Sequence, residues 1–369
     1  MLKKWLADEK KYPILVPVLA ILLSFVIGSI VMVMTGINPM DAFKAIIRAI
    51  TGVNLDKWMD PKMFNPRFVG EFIATCLPIT MSGLAVAFAF RTGLFNIGVE
   101  GQLLMGSLAA TVVGVSLELP AMIHLPLVVL ASLLAGGVWG AIPGYLKARF
   151  RVHEVVVTIM MNYVALQISN YVLKSLPGST LIKTVPSHPS GTFRSAFLSE
   201  LTAKSRLHWG FIVVIISIFA FWYIIERTTF GYELRAVGFN KNASEYAGMK
   251  VNRNIMLSMA ISGAFAGIAG AMISAGTFDY GRVLTGFEFY GMDGIAVALV
   301  GGNQAIGVFL SGLLFGALKS AQPLMQSNGV PLEIAKIISA LMVLFVAMKI
   351  GFEEVLKKMT AEKQGGKSS

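Results

Sequence analysis

Apolar residues recur in runs of about twenty along most of the chain, broken by short polar segments, and a run of that length crosses a bilayer as a helix. Segments near 14–34, 72–90, 98–117, 125–143, 154–173, 210–225, 255–275, 291–302, 305–322 and 331–348 fit this pattern. They predict an all-α polytopic membrane bundle of about ten spans. The segment 291–302 is too short to cross as a straight helix. Two polar stretches, about 35–71 and 174–208, are rich in Pro, Asn, Ser and charge. They are too short for a catalytic domain and long enough for a docking surface. The run Ile14 to Met34 follows Lys3, Lys4, Lys10 and Lys11 as a signal peptide would. It is too long and lacks a small-x-small cleavage site, so an uncleaved first span is expected.

Within this pattern two stretches read as copies of one motif. Gly93-Leu94-Phe95-Asn96-Ile97-Gly98-Val99-Glu100-Gly101 and Gly286-Phe287-Glu288-Phe289-Tyr290-Gly291-Met292-Asp293-Gly294 both fit G-x4-G-x-(E/D)-G, and both lead into an apolar run. A carboxylate at the mouth of a hydrophobic segment is costly in lipid and has a role when present. Its duplication predicts an inverted internal repeat of the kind transporters use.

Charge sets the expected orientation. Lys147, Arg149 and Arg151 share one short loop, while Arg227, Arg235, Lys241, Lys250 and Arg253 share another. Lys357, Lys358, Lys363 and Lys367 lie in the tail, and the loop near 118–124 has no Lys or Arg. With the N-terminus inside, ten alternating spans put every basic region in the cytoplasm, as lysine and arginine prefer. The C-terminus is then cytoplasmic too. The first motif falls near the cytoplasmic side and the second near the outside. The organisation expected is one integral membrane domain over 1–369. Its parts are a first span and outer loop (1–71), a first half (72–225), a cytoplasmic segment (226–254), a second half (255–350) and a tail (351–369).

Composition removes other classes. Of 369 residues, 55% are hydrophobic and 14% charged, with a mean hydropathy of +0.71, which excludes a soluble domain. The 37 glycines and 20 methionines suit close helix packing in lipid. Gly136-x3-Gly140, Gly140-x3-Gly144, Gly263-x3-Gly267 and Gly312-x3-Gly316 are candidate close contacts. A lone cysteine, Cys76, permits no internal disulfide, and the four histidines have no metal-ligand spacing. The net charge of +11 is not accompanied by a soluble basic module with stacking aromatics, so nucleic acid is not an expected partner. The segment Gly312 to Ser320 has a faint P-loop look, but its spacing is wrong and it lies in an apolar span. No catalytic constellation is present.

The segment Thr229 to Gly248 stands apart. Asn240 or Asn242 can cap a short helix, Asn242 with Glu245 makes a capping box, and Gly248 suits the left-handed position after its end. A two-turn helix between spans is built to enter a groove on another protein. A plain amphipathic helix at the membrane face is the alternative. The run Gly231 to Gly248, followed by Ser262-Gly263-Ala264-Phe265-Ala266-Gly267-Ile268-Ala269-Gly270-Ala271, resembles the coupling segment and next span of bacterial ABC importer permeases. The branch is the ribose, branched-chain amino acid and nucleoside type. Gly93 to Gln102 and Asp293 to Gly302 are similar to its two half-motifs, and the Asn-Ile-Gly-Val-Glu-Gly wording looks most like the nucleoside permeases. Glu245 stands where a small residue is common.

That resemblance implies a permease subunit, not an enzyme, in a bacterial cell membrane. It binds no cofactor itself; ATP and Mg belong to a partner ATPase. A second homologous permease, usually a different one, and a substrate-binding lipoprotein complete the assembly. Arg235, Gly238, Asn240, Ser244, Glu245, Tyr246 and Gly248 would contact the ATPase. Polar residues near the motifs, Asn96, Glu100, Asn162, Asp293 and Asn303, are candidates for the pathway, because amides and carboxylates match ribose hydroxyls and base edges. Capping of half-helices is the competing role for Glu100 and Asp293. Sugar or branched-chain amino acid transport, and more distantly an ion-coupled carrier, are the alternative functions.

Overall fold

The computed structural model describes residues 12–57, 60 and 63–348, so the basic residues at both ends lie outside it. The described helices are α1 (Tyr12–Met34), α2 (Pro39–Thr51), α3 (Pro66–Arg91), α4 (Val99–Ser116), α5 (Ala121–Phe150), α6 (Glu154–Ser175) and α7 (Ala196–Leu201). They continue with α8 (Gly210–Arg227), α9 (Thr229–Phe239), α10 (Lys241–Tyr246), α11 (Val251–Ala271), α12 (Tyr290–Val300), α13 (Ala305–Ser327) and α14 (Leu332–Ala347). Each of the ten apolar segments is a helix. Among the described residues eight helices are long and apolar enough to cross a membrane, and α12 is a short apolar one, as its length predicts.

Burial sorts the helices into centre and rim. The apolar windows of α3 and α11 are 83% and 72% buried, against 22% for α1 and α5. An exposed stripe at helical spacing, Val18, Leu22, Val26 and Ile30, runs along α1 and is suited to lipid. At the centre α11 crosses α5 on glycines. A Cβ built on Gly263 would lie 2.2 Å from the Gly136 carbonyl oxygen, and one on Gly136 would lie 2.3 Å from that of Gly263. The small-x3-small pairs therefore bring two backbones into direct contact.

The two faces of the bundle differ. Arg91, Lys147, Arg151, Arg235 and Lys250 cluster at the ends of α3, α5, α9 and the start of α11, here called the basic face. The long segments 35–65 and 176–209 cover the other end. The first of these is not the plain loop expected. It holds α2, whose Asn38 side chain caps the start, whose Pro39 opens the first turn and whose C-cap Gly52 has φ +76°. Its small buried face of Ala42, Ala45 and Ala49 escapes a search for long apolar runs.

In the second loop His208 is fully buried, accepts from Gly210 N–H at Nδ1 (3.1 Å) and has no partner at Nε2. Its ring fills the space above Gly276 in the wide helical turn Met272–Phe278 that extends α11. Burial, helped by the nearby Arg194 charge, pulls its pKa from 6.5 down to about 3. The folded state therefore keeps this histidine neutral where the unfolded chain would protonate it. The stability it supports is complete above pH 6.5 and is lost as pH falls toward 3, by about 1.4 kcal/mol per pH unit. Thermal unfolding in detergent should show that slope, and His208→Phe should flatten it.

Candidate functional site

The two motifs do not lie at opposite faces; they meet. The Glu100 carboxylate accepts from the N–H groups of Glu288 (3.1 Å), Phe289 (3.0 Å) and Gly291 (2.6 Å). These are the free donors at the start of α12, so the acid of the first motif caps the half-helix of the second. The contact is close, because a Cβ on Gly291 would stand 2.7 Å from the Glu100 nitrogen. Phe289 sits in the left-handed region at φ +63°, which turns the chain into α12. From this junction the helices run apart. α4 ends where Gly114 packs on Ser187 of the second loop, and α12 ends at Gly302 and Asn303 beside Arg91 and Gly238. Topology by charge assigns each motif to a face but not to a depth. The chain re-enters from the loop face before α12 starts, which places the second motif against the first.

Three of the five pathway candidates are held in packing. Asn96 is fully buried, donates to Gln102 Oε1 (2.9 Å) and Ser262 Oγ (2.8 Å), and accepts from Gly98 N–H (2.9 Å). Asn162 accepts from Gly101 N–H (2.8 Å) and donates to the Ile97 carbonyl (3.1 Å). Both fix the start of α4, and Glu100 fixes that of α12. Asn303, at φ +56°, lines a cavity of about 350 Å³ on the basic face with Arg235 and Gly238.

Asp293 alone of the five lines the large cavity that opens between α12, α13 and α14. About 700 Å³ lies between α12, α13 and α14, lined by Tyr290, Asp293, Lys319, Gln322, Lys336 and Ser339 among others. Lys319 Nζ donates to Asp293 Oδ2 at 2.7 Å and stands 3.7 Å from the centre of the Tyr290 ring. Such a cation is held by charge and by the ring face together. Tyr290 and Lys319 also line a second cavity of about 630 Å³ that reaches Asn65, Arg67 and Lys204 toward the loop face. Tyr290 and Lys319 thus form the wall between the two cavities. Arg282 and Glu288 pair beside it in a two-pronged contact. Lys319, Tyr290, Arg282 and Glu288 are not among the pathway residues expected from the sequence. Lys319 carries the signal that flags Glu100, a lone charge inside an apolar run, within the segment of faint P-loop look.

At the basic face the expected short helix is α10, and a further helix, α9, runs directly before it. Asn240 ends α9 and caps α10, its side chain accepting from Ala243 N–H at 3.1 Å. Asn242 is therefore inside α10 and forms no capping box with Glu245. Gly248 adopts the left-handed conformation expected (φ +81°). Glu226 pairs with both Arg91 and Arg235, and Glu233 accepts from Asn254 Nδ2 at 2.8 Å. These contacts tie α9 to α3, α8 and α11. Gly238 packs on the turn after α3, where its Cβ would meet the Arg91 carbonyl at 2.8 Å, and Ser244 is buried with its hydroxyl on the Asn240 carbonyl (2.9 Å). Glu245 and Tyr246 point outward, with Phe239 and Tyr246 each 94% exposed.

Comparison with known proteins agrees with this architecture. The family described as branched-chain amino acid transport system / permease component matches residues 68–347. The guanosine ABC transporter permease protein NupP of Bacillus subtilis is 49% identical over 347 residues, covering 94% of this chain and 96% of that protein. The nucleoside ABC transporter permease protein NupB of Lactococcus lactis is 35% identical, covering 96% of each. The glucose ABC transporter permease protein TsgB13 of Haloferax volcanii is 30% identical, covering 95% of this chain and 91% of its own. With a helical membrane bundle, paired half-helices and a family match over most of its length, the chain belongs to the branched-chain amino acid transport system permease family.

Proposed function

We propose that this chain is the permease subunit of an ATP-driven importer that carries nucleosides across the cell membrane. The observation that carries the substrate class is the 49% identity, over nearly the whole of both chains, to a guanosine permease. The cavity between α12, α13 and α14, mainly apolar with a few polar groups, is chemically suited to such a solute. Asp293, Gln322 and Ser339 offer partners for ribose hydroxyls and base edges, and Tyr290 offers a ring face. Asn96, Glu100 and Asn162 act on this pathway through the half-helices they hold.

The basic face is cytoplasmic in this reading, in line with the lysine and arginine bias. Residues 72–225 and 255–350 are then the two halves of an inverted repeat, which the opposed directions of α4 and α12 support. The segment α9–α10 docks in a cleft of a partner ATPase that binds ATP and Mg. Two nearly bare aromatics on a charged face are what an anchored interface needs. Gly238 and Arg235 pass its movement to the ends of α3 and α8. A second permease covers the cavity at α12–α14, because exposed Lys336 and the Lys319–Asp293 pair are poor neighbours for lipid. A substrate-binding lipoprotein delivers the solute to the loop face. The double variant Phe239→Ala/Tyr246→Ala should lower co-purification of the ATPase about tenfold or more. Undiminished co-purification with normal substrate-stimulated ATP hydrolysis would remove the docking assignment.

A further inference from the structure

A second cavity on the basic face, about 940 Å³ in volume, lies between the end of α5 and the α10–α11 turn. Lys147, Arg149, Arg151, Lys241, Lys250 and Arg253 line it, with Glu245 as the one acid. Lys147 is neutralised by Glu154. The other five cations make no ion pair with any carboxylate among the described residues. A bias toward basic loops explains their number, but not their convergence on one hollow.

The apolar surface beside it indicates what the hollow takes. Leu134, Val138, Ile142 and Tyr145 on α5 are 54%, 64%, 40% and 50% exposed, at the spacing of a single helix face. Continued by one turn, that face ends in Arg149 at the cavity rim. From Val138 to Arg149 the rise is about 16 Å, close to half of a hydrocarbon core of about 30 Å. An acyl chain in one leaflet can lie along this stripe while its phosphate reaches the cations.

We propose that this cavity binds the phosphate headgroup of an anionic phospholipid, held jointly by the five unpaired cations and the α5 stripe. The site is independent of the substrate assignment. An acidic segment of a partner protein would use the charge but not the stripe. α10 contributes Lys241, Asn242 and Glu245 to the hollow, whereas Phe239 and Tyr246, the anchors assigned to the ATPase, lie outside its lining.

The full-length chain in nanodiscs of phosphatidylcholine with phosphatidylglycerol, released into mild detergent and weighed by native mass spectrometry, tests this. The wild type should retain phosphatidylglycerol in preference to phosphatidylcholine. The variant Arg149→Gln/Arg151→Gln/Arg253→Gln should lose about tenfold of that retention, while Lys204→Gln on the other face should lose none. Ile142→Ser/Tyr145→Ser, with every cation intact, should also weaken it, and this covers a poorly folding triple variant. Equal retention by wild type and variants would overturn the proposal. So would displacement of the lipid by inorganic phosphate, which indicates a free-anion site. Loss of ATPase binding in the triple variant with lipid retention unchanged would assign the surface to a protein instead.

Discussion

Glu100→Gln is expected to destabilise the protein by about 2–4 kcal/mol and to reduce uptake at least tenfold, because it disrupts charge-assisted bonds to buried donors. The carboxylate presents one oxygen to Glu288 and Phe289 N–H and the other to Gly291 N–H. An amide has only one acceptor oxygen, so its NH2 must face at least one of these donors. Glu100→Asp keeps the charge but withdraws it by a methylene, and should fall between the two. Thermal unfolding in detergent and uptake in cells check this together. Wild-type stability with wild-type uptake in the glutamine variant would mean that the carboxylate does not hold α12 in place.

Gly263→Leu should be worse still. The α5–α11 crossing has backbone against backbone, and a side chain at Gly263 would enter the Gly136 carbonyl at 2.2 Å. Overpacking commonly costs about 1–3 kcal/mol where side chains can yield, but main chain yields only by parting the helices. Near-complete loss of folded protein is expected. Gly136→Ala should show a lesser loss, and Gly286→Ala, with no atom within 4 Å of its Cβ, almost none. Folded yield by size-exclusion chromatography reads all three. A well-folded Gly263→Leu protein would show that the helices cross elsewhere.

Glu100 also shows where sequence reading stops. The cost of a charge in lipid marks it as purposeful, and capping is one of the two roles the motif allows. The partner was not legible, because the donors lie in the other motif and meet it only after the chain re-enters the bundle. The spans were readable because each needs a long apolar run. α2 was not, since its buried face is three alanines. Asn240 and Asn242 offered equal caps on paper, and α9 decided between them by running to Phe239. Lys319 carried the same signal as Glu100 but stood in a stretch read for a nucleotide motif. Its partner Asp293, named from the motif alone, is the candidate that reaches the cavity.

Under the proposed function, this chain completes a nucleoside uptake pathway. Uptake of labelled guanosine by cells lacking this chain, with and without its restoration, is the direct measurement, with unlabelled adenosine, uridine, ribose and leucine as competitors. Restored uptake that adenosine or uridine competes away, and that ribose and leucine leave intact, is the predicted result. Uptake that is not restored, or that ribose or leucine abolishes while nucleosides do not, would contradict it.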